Sequence, residues 1–264
     1  MLLDADFCFD DFAKANDKWR FHRYYTKNFI RHLRGREPKT YRYRHFIYES
    51  PQMLEDSSVI KNAMNLNPRT YFCGYFQHLH CFSHIKSIIR TEFTLKSPLS
   101  NANQKLKERI LSTTNSTFLH IRRGDYMQIS HFIKLGSGYY NGALRAIKAR
   151  VAKAHIFVFS DDIDFAKTHL LKCLDLELIR AFEWEFVDGN DESNAVQEME
   201  LMKSCQNAII ANSTFSWWAA YLMTNPRKVV VMPSRFFYDG TIPKVEYIKP
   251  NDYIAIDYNW GFEL

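Results

Sequence analysis

Between residues 117 and 232, short apolar runs alternate with stretches of helical spacing, and no other feature of the chain constrains its fold as strongly. Residues 117–122 (TFLHIR), 155–160 (HIFVFS), 184–187, 208–211 and 228–232 read as strands, being short and rich in β-branched and aromatic residues. The intervening stretches 139–151, 163–173, 194–205 and 215–224 read as helices, the last stopped by Asn225-Pro226. Asn194 and Gln197 have the spacing of a capping box at the third of them. Strands that alternate with helices form βαβ units, so the expected class is α/β with a parallel sheet.

The first hundred residues differ. Residues 18–46 are dense in Lys, Arg, His and aromatics, 70–77 (TYFCGYFQ) reads as a strand, and Phe82, Ile85, Ile88 and Ile89 have helical spacing. Residues 96–104 (KSPLSNANQ) cluster Pro, Ser and Asn and are the best linker candidate. The expected division is therefore an amino-terminal domain over 1–100 and a second domain over 101–264.

With 46% hydrophobic residues the 264-residue chain can bury a substantial core, and a formal net charge of +6 suits a polyanionic partner. The five cysteines, Cys8, Cys73, Cys81, Cys173 and Cys205, are scattered without CxxC spacing, which favours free thiols in a reducing compartment. No basic start followed by an apolar run opens the chain, and no apolar stretch approaches about 18 residues. The expectation is a cytoplasmic protein, peripheral on the inner face of the membrane if it touches one. The Asn115 and Asn212 sequons then carry no meaning for glycosylation.

Three polar clusters follow strands: His120-Ile121-Arg122-Arg123-Gly124-Asp125-Tyr126, Ser160-Asp161-Asp162, and Asn212-Ser213-Thr214-Phe215-Ser216. Ligands of doubly wound sheets sit outside the carboxyl ends of strands, so the three converge on one crevice. Each suits part of a nucleotide diphosphate. Arg122 and Arg123 offer donor forks to phosphate oxygens. Ser213, Thr214 and Ser216 stand where a helix start presents hydroxyl and backbone N–H groups. Asp161 or Asp162 could accept the adjacent donors of guanine.

HIRRGDY at 120–126, FSDD at 159–162 and especially SCQNAIIANSTFSWWAAYL at 204–222 resemble the α-1,2-fucosyltransferases of glycosyltransferase family 11, as do GYFQ at 74–77 and TEFTL at 91–95. The resemblance implies a GT-B-like fold of two Rossmann-like domains and an inverting, metal-independent transfer without a cofactor. The donor would be GDP-fucose, and the acceptor a galactose-terminated glycan, free or lipid-linked, that receives fucose on its 2-hydroxyl. Carried over by motif, Arg122 would contact the β-phosphate with His120 and Arg123 beside it, and Asp161, Asp162 and the turn from Asn212 to Ser216 would hold the rest of GDP. Arg122 and Asp125 are the candidate catalytic pair, Asp125 orienting an arginine rather than acting as base. The family's opening GGLGNQMFQYA-type segment is not found here, and MLLDADFCFDDF resembles its second strand, so the first domain is expected to be incomplete. An inactive GDP-binding fragment is the alternative expectation.

Other motifs have plainer readings. The spacing of His78, His80, Cys81 and His84 matches no common zinc pattern. Asp162-Ile163-Asp164 combines a strand-end acid with an acidic first helical turn. Residues 18–46 read first as a solvated helical face, second as a membrane-docking surface, and last as a nucleic-acid site; no nucleic-acid partner is expected. Trp217, Trp218 and Tyr221 are expected in the core at helical spacing. Residues 235–264 carry no interpretable motif, though their aromatics suggest a packed tail that returns to the first domain.

Overall fold

The computed structural model describes residues 46–48, 71–73, 76–190, 192–238 and 244–257. The basic segment at 18–45, the chain start and the last residues of the tail lie outside them. The chain divides into two compact units, Met1–Phe76 and Gln77–Leu264, where composition put the boundary near residue 100. Within the first, β1 (Phe46–Tyr48) and β2 (Tyr71–Cys73) pair in parallel.

The second unit is built on a six-stranded sheet: β3 (Ser116–Ile121), β4 (His155–Ser160), β5 (Glu183–Phe186), β6 (Asn207–Ile209), β7 (Val230–Pro233) and β8 (Ile254–Ile256). All its neighbours are parallel, in the order β5-β4-β3-β6-β7-β8. The chain starts in the middle, builds outward through β4 and β5, then crosses back to β6 and builds the other way. That reversal is the doubly wound, Rossmann-like arrangement, and it places a topological switch point between β3 and β6.

Alternation along the central strands sends their apolar side chains to both faces of the sheet. Phe118, Phe157, Phe159, Ile210 and Met232 pack on one face with α3 (Asn101–Ser112), α7 (Ala195–Ser204) and α8 (Thr214–Leu222). Leu119, Ile121, Ile156, Val158 and Val231 pack on the other with α4 (Ser137–Lys148), α6 (Leu176–Ala181) and the helix α5. The last comprises Ile163–Phe165, a π-helical turn Ala166–Leu170 and Leu171–Cys173. Both faces are covered, as parallel sheets require.

Several expectations shift. The stretch 96–104 is no open linker: Ser100 caps α3, its hydroxyl accepting the Asn103 N–H at 3.2 Å. The segment before it, α1 (Leu79–Phe82) and α2 (Lys86–Glu92), belongs with the sheet-bearing unit because its aromatics need cover. Phe82 lies 5.2 Å and Phe93 5.3 Å from the Trp218 ring, centroid to centroid. The capping box at α7 does not form: Asn194 makes no side-chain cap, and Gln197 instead accepts from Ser100 N and Asn103 Nδ2, both at 2.9 Å. Residues 244–257 supply α9 (Val245–Ile248) and the sheet edge β8. His78 caps α1 through Nδ1 and stacks between His80 and Tyr247. Among the described residues no helix is long and apolar enough to cross a membrane.

Candidate functional site

The ladder explains the crevice. β3 pairs with β4 as far as Ile121↔Ser160, but with β6 only as far as Leu119↔Ile209. Beyond that pair β3 and β6 part, and their last carbonyls lose ladder partners. Two tyrosines of α4 replace them: Tyr139 donates to the Ile210 carbonyl at 2.5 Å and Tyr140 to that of His120 at 3.2 Å. The floor of the crevice is thus closed by satisfied backbone, as buried carbonyls demand.

Arg122 leaves the end of β3 and is held on two sides. Its Nη2 meets Asp125 Oδ1 at 2.6 Å and its Nη1 meets Asp161 Oδ2 at 3.0 Å. Its Nε is buried with no hydrogen-bond partner. A guanidinium held from both sides by two separate carboxylates has little remaining freedom, so the group is oriented in advance. Asp125 is one of the two carboxylates that the Arg122 guanidinium meets. Asp161 also accepts the Arg123 N–H at 2.8 Å, and burial raises its pKa above the ordinary carboxylate value, partly offset by that N–H and by Arg122.

Arg123 turns the other way. Its Nε faces Asp162 Oδ2 at 3.4 Å and its guanidinium lies 3.4 Å from the Phe165 ring centroid. Asp162 also caps α5, accepting the Phe165 N–H at 3.2 Å. The Asp161-Asp162 pair therefore binds the Arg122–Gly124 turn to the end of β4. With these oxygens engaged, guanine is met by this pair only if the arginines release it.

Gly124 is needed where it stands. Its φ is +20°, and a Cβ there would lie 2.5 Å from Asp161 Oδ2. Gly124→Ala is expected to push Asp161 off Arg122 and lower turnover by roughly tenfold to a hundredfold, the scale of an ångström-sized misplacement. Steady-state kinetics on the folded variant test this; parental turnover would show that the Asp161 bracket is dispensable.

His120 is buried beside the Phe215 ring, 6.0 Å between centroids, and its Nδ1 has no partner. Burial, then the Arg122 charge, push its pKa down to about 3. It is a neutral imidazole at physiological pH. Its stability linkage follows in sign: the folded value lies below the free one, so stability is lost as pH falls from 6.5 towards 3.

Across the crevice, Ser213 precedes α8. The first intrahelical bond runs from Trp217 N to Ser213 O at 3.0 Å, which leaves the N–H groups of Thr214, Phe215 and Ser216 without an intrahelical acceptor. The Tyr126 hydroxyl lies towards the Ser213 side chain, and the Tyr126 ring stacks on Phe132 at 3.8 Å. Asn212 and Ser216 serve the turn itself. Asn212 Nδ2 donates to the Ile133 and Phe236 carbonyls at 2.8 and 3.0 Å, and the Ser216 hydroxyl donates to Ser213 O at 3.2 Å. Their side chains shape the turn, and half-buried Thr214 is the hydroxyl at its front.

The sequence reading missed Glu198, half-buried in the first turn of α7. Burial, and next the charge of Asp161, push its pKa up to about 7, with Arg122 pulling the other way. Its position among Val196, Met199 and Met202 masked it: an acid beside an apolar helical stripe reads as a solvated flank.

Residues 25–255 match glycosyl transferase family 11. The O-antigen biosynthesis glycosyltransferase WbnK of Escherichia coli is 34% identical over 185 residues, 67% of this chain and 59% of that protein. An alpha-1,2-colitosyltransferase of Escherichia coli is 32% identical over 171 residues, covering 63% of this chain and 56% of the relative. A galactoside alpha-(1,2)-fucosyltransferase 1 of Ateles belzebuth is 27% identical over 180 residues, covering 64% and 45%. The matched part of the chain thus spans about half of each relative's length.

Proposed function

Since the chain belongs to glycosyl transferase family 11, we propose that it transfers L-fucose from GDP-β-L-fucose to the 2-hydroxyl of a terminal β-galactoside, with inversion and without a metal. The observation that carries this reading is Arg122, locked by Asp125 and Asp161 at the switch-point crevice opposite the start of α8. As the glycosidic bond breaks, negative charge gathers on the departing diphosphate while the sugar becomes oxocarbenium-like. A guanidinium fixed beforehand stabilises that charge more than it stabilises the bound donor, because it needs no reorganisation at the moment of reaction. The open N–H groups of α8 offer the same diphosphate a second set of donors.

The acceptor under this reading is a galactose-terminated glycan of a surface polysaccharide, supported by the O-antigen name of the first relative. The enzyme would work in the cytoplasm at the inner face of the membrane, where a lipid-linked acceptor is found. Colitosyl transfer is the second reading, supported by the name of the 32% identical relative. The test is mass spectrometry of lactose incubated with the full chain and GDP-fucose in EDTA, beside a parallel reaction with the colitose donor. One added fucose is the expected product. Exclusive transfer of colitose would move the assignment to the second reading, and no transfer of either sugar to lactose or other β-galactosides by folded protein would overturn both.

A further inference from the structure

A second polar cleft lies at the edge of the sheet opposite the switch-point crevice. It encloses about 920 Å³ where β3, β6 and β7 begin, beside Asn115, Asn207 and Val229. The whole of β3, roughly 20 Å of extended chain, separates Asn115 from Arg122. Four cations line the cleft, Arg90, Arg150, Lys203 and Arg227, with one acid, Glu200. Glu200 is already committed: it meets Lys107 at 2.7 Å and Lys203 at 2.5 Å. The three arginines form no ion pair among the described residues, whereas Arg109, Arg122, Arg123 and Arg145 each meet a carboxylate.

Capping the carbonyl ends of helices is the plainer role for such cations, and it accounts for part of their capacity. Arg90 Nη2 donates to the Met223 carbonyl after α8 at 2.7 Å, and Arg150 Nη1 to the Ala146 carbonyl of α4 at 3.2 Å. Each bond uses one donor of a fork that carries several. Arg90 Nε is buried with no hydrogen-bond partner, the same state as Arg122 Nε in the crevice. Arg227 is exposed and engages through its backbone N–H, which donates to Asn225 Oδ1 at 3.0 Å. Lys228 shares the Met223 carbonyl with Arg90, at 3.3 Å. Burial, then the charges of Lys86 and Arg90, push the Lys228 pKa down to about 8 against the pull of Asp252. This edge of the sheet therefore keeps a positive field. No aromatic ring lines the cleft, so nothing there stacks on a base or a sugar face. We propose that the cleft is a second oxyanion site, which takes a phosphate group on the guanidinium forks of Arg90, Arg150 and Arg227. Planar forks match phosphate oxygens bidentately, as a single ammonium does not. The phosphate belongs to a soluble ester or to a lipid headgroup, and the recognised group is the same in both.

Titration calorimetry of the full chain with inorganic phosphate tests this, at constant ionic strength and with saturating GDP present to fill the crevice. Phosphate is expected to bind one saturable site. The double variant Arg150→Ala, Arg227→Ala removes two exposed side chains and should melt like the parent. It should bind phosphate at least about tenfold more weakly, the scale of lost charge-assisted hydrogen bonds. Flotation with phosphatidylcholine vesicles that contain phosphatidic acid then identifies the source. Vesicle binding that free phosphate competes away and the double variant lacks assigns the site to a lipid headgroup. Phosphate binding without vesicle binding assigns it to a soluble ester. A parent with no phosphate site, or a double variant that binds phosphate as tightly as the parent, overturns the inference. The donor reading is tested apart from this by turnover, which the double variant should keep at the parental value.

Discussion

Arg122→Ala is expected to lower the turnover number by roughly a hundredfold or more, the scale of losing one preorganised donor at a developing oxyanion. The reason lies in the two carboxylates that hold the guanidinium, Asp125 at 2.6 Å and Asp161 at 3.0 Å. They fix its plane before the donor arrives, so its contribution falls on the transition state rather than on binding. Arg122→Lys should recover little, because a single ammonium cannot meet both acids and a phosphate with one planar fork. The kinetic signature separates this from a binding defect: kcat should drop while KM for the donor changes less. A folded alanine variant with near-parental turnover would remove Arg122 from the chemistry and leave the helix start of α8 as the main diphosphate contact.

Trp217→Ala is expected to have the largest effect on stability. The ring is 4% exposed, stacks on Tyr221 at 4.8 Å, meets Phe82 edge-on at 5.8 Å, and donates through Nε1 to the Ile248 carbonyl at 2.8 Å. One side chain thus joins α8, α1 and α9. Emptying it should cost about 3–5 kcal/mol, or roughly 10 °C in melting temperature for a unit of this size. Trp217→Phe keeps most of the packing and strands the Ile248 carbonyl, so it should cost about 1–3 kcal/mol. Turnover per folded molecule should persist in both. A variant that melts like the parent but no longer binds donor would instead make Trp217 a ligand contact.

The sheet was legible because its strands are buried on both faces. Runs such as Ile156–Phe159 are apolar without alternation, and the helices between them have one apolar stripe, so period alone separates the two. The polar clusters were legible as a site because each follows a strand, and in a parallel sheet all such ends lie on one edge. Trp217 and Tyr221 were legible as core from their helical spacing. Gln197 was misread, since capping-box spacing cannot reveal that Ser100 and Asn103 of another helix compete for the same amide.

Residue order by itself determined the α/β class, the helix and strand series and the family, because these rest on local period and on long specific strings. It could not divide the labour inside the clusters. Asn212 and Ser216 look like ligand contacts beside Ser213 and Thr214, yet they bond carbonyls of their own surroundings. Asp161 looks like a base-reading acid, yet it meets the Arg122 guanidinium and accepts the Arg123 N–H, the latter across 38 residues of chain. Glu198 gave no signal at all. Which oxygen an arginine meets, and which acid is buried deeply enough to keep a proton, are set by distances and desolvation between segments far apart in sequence, and only the packed tertiary structure decides those.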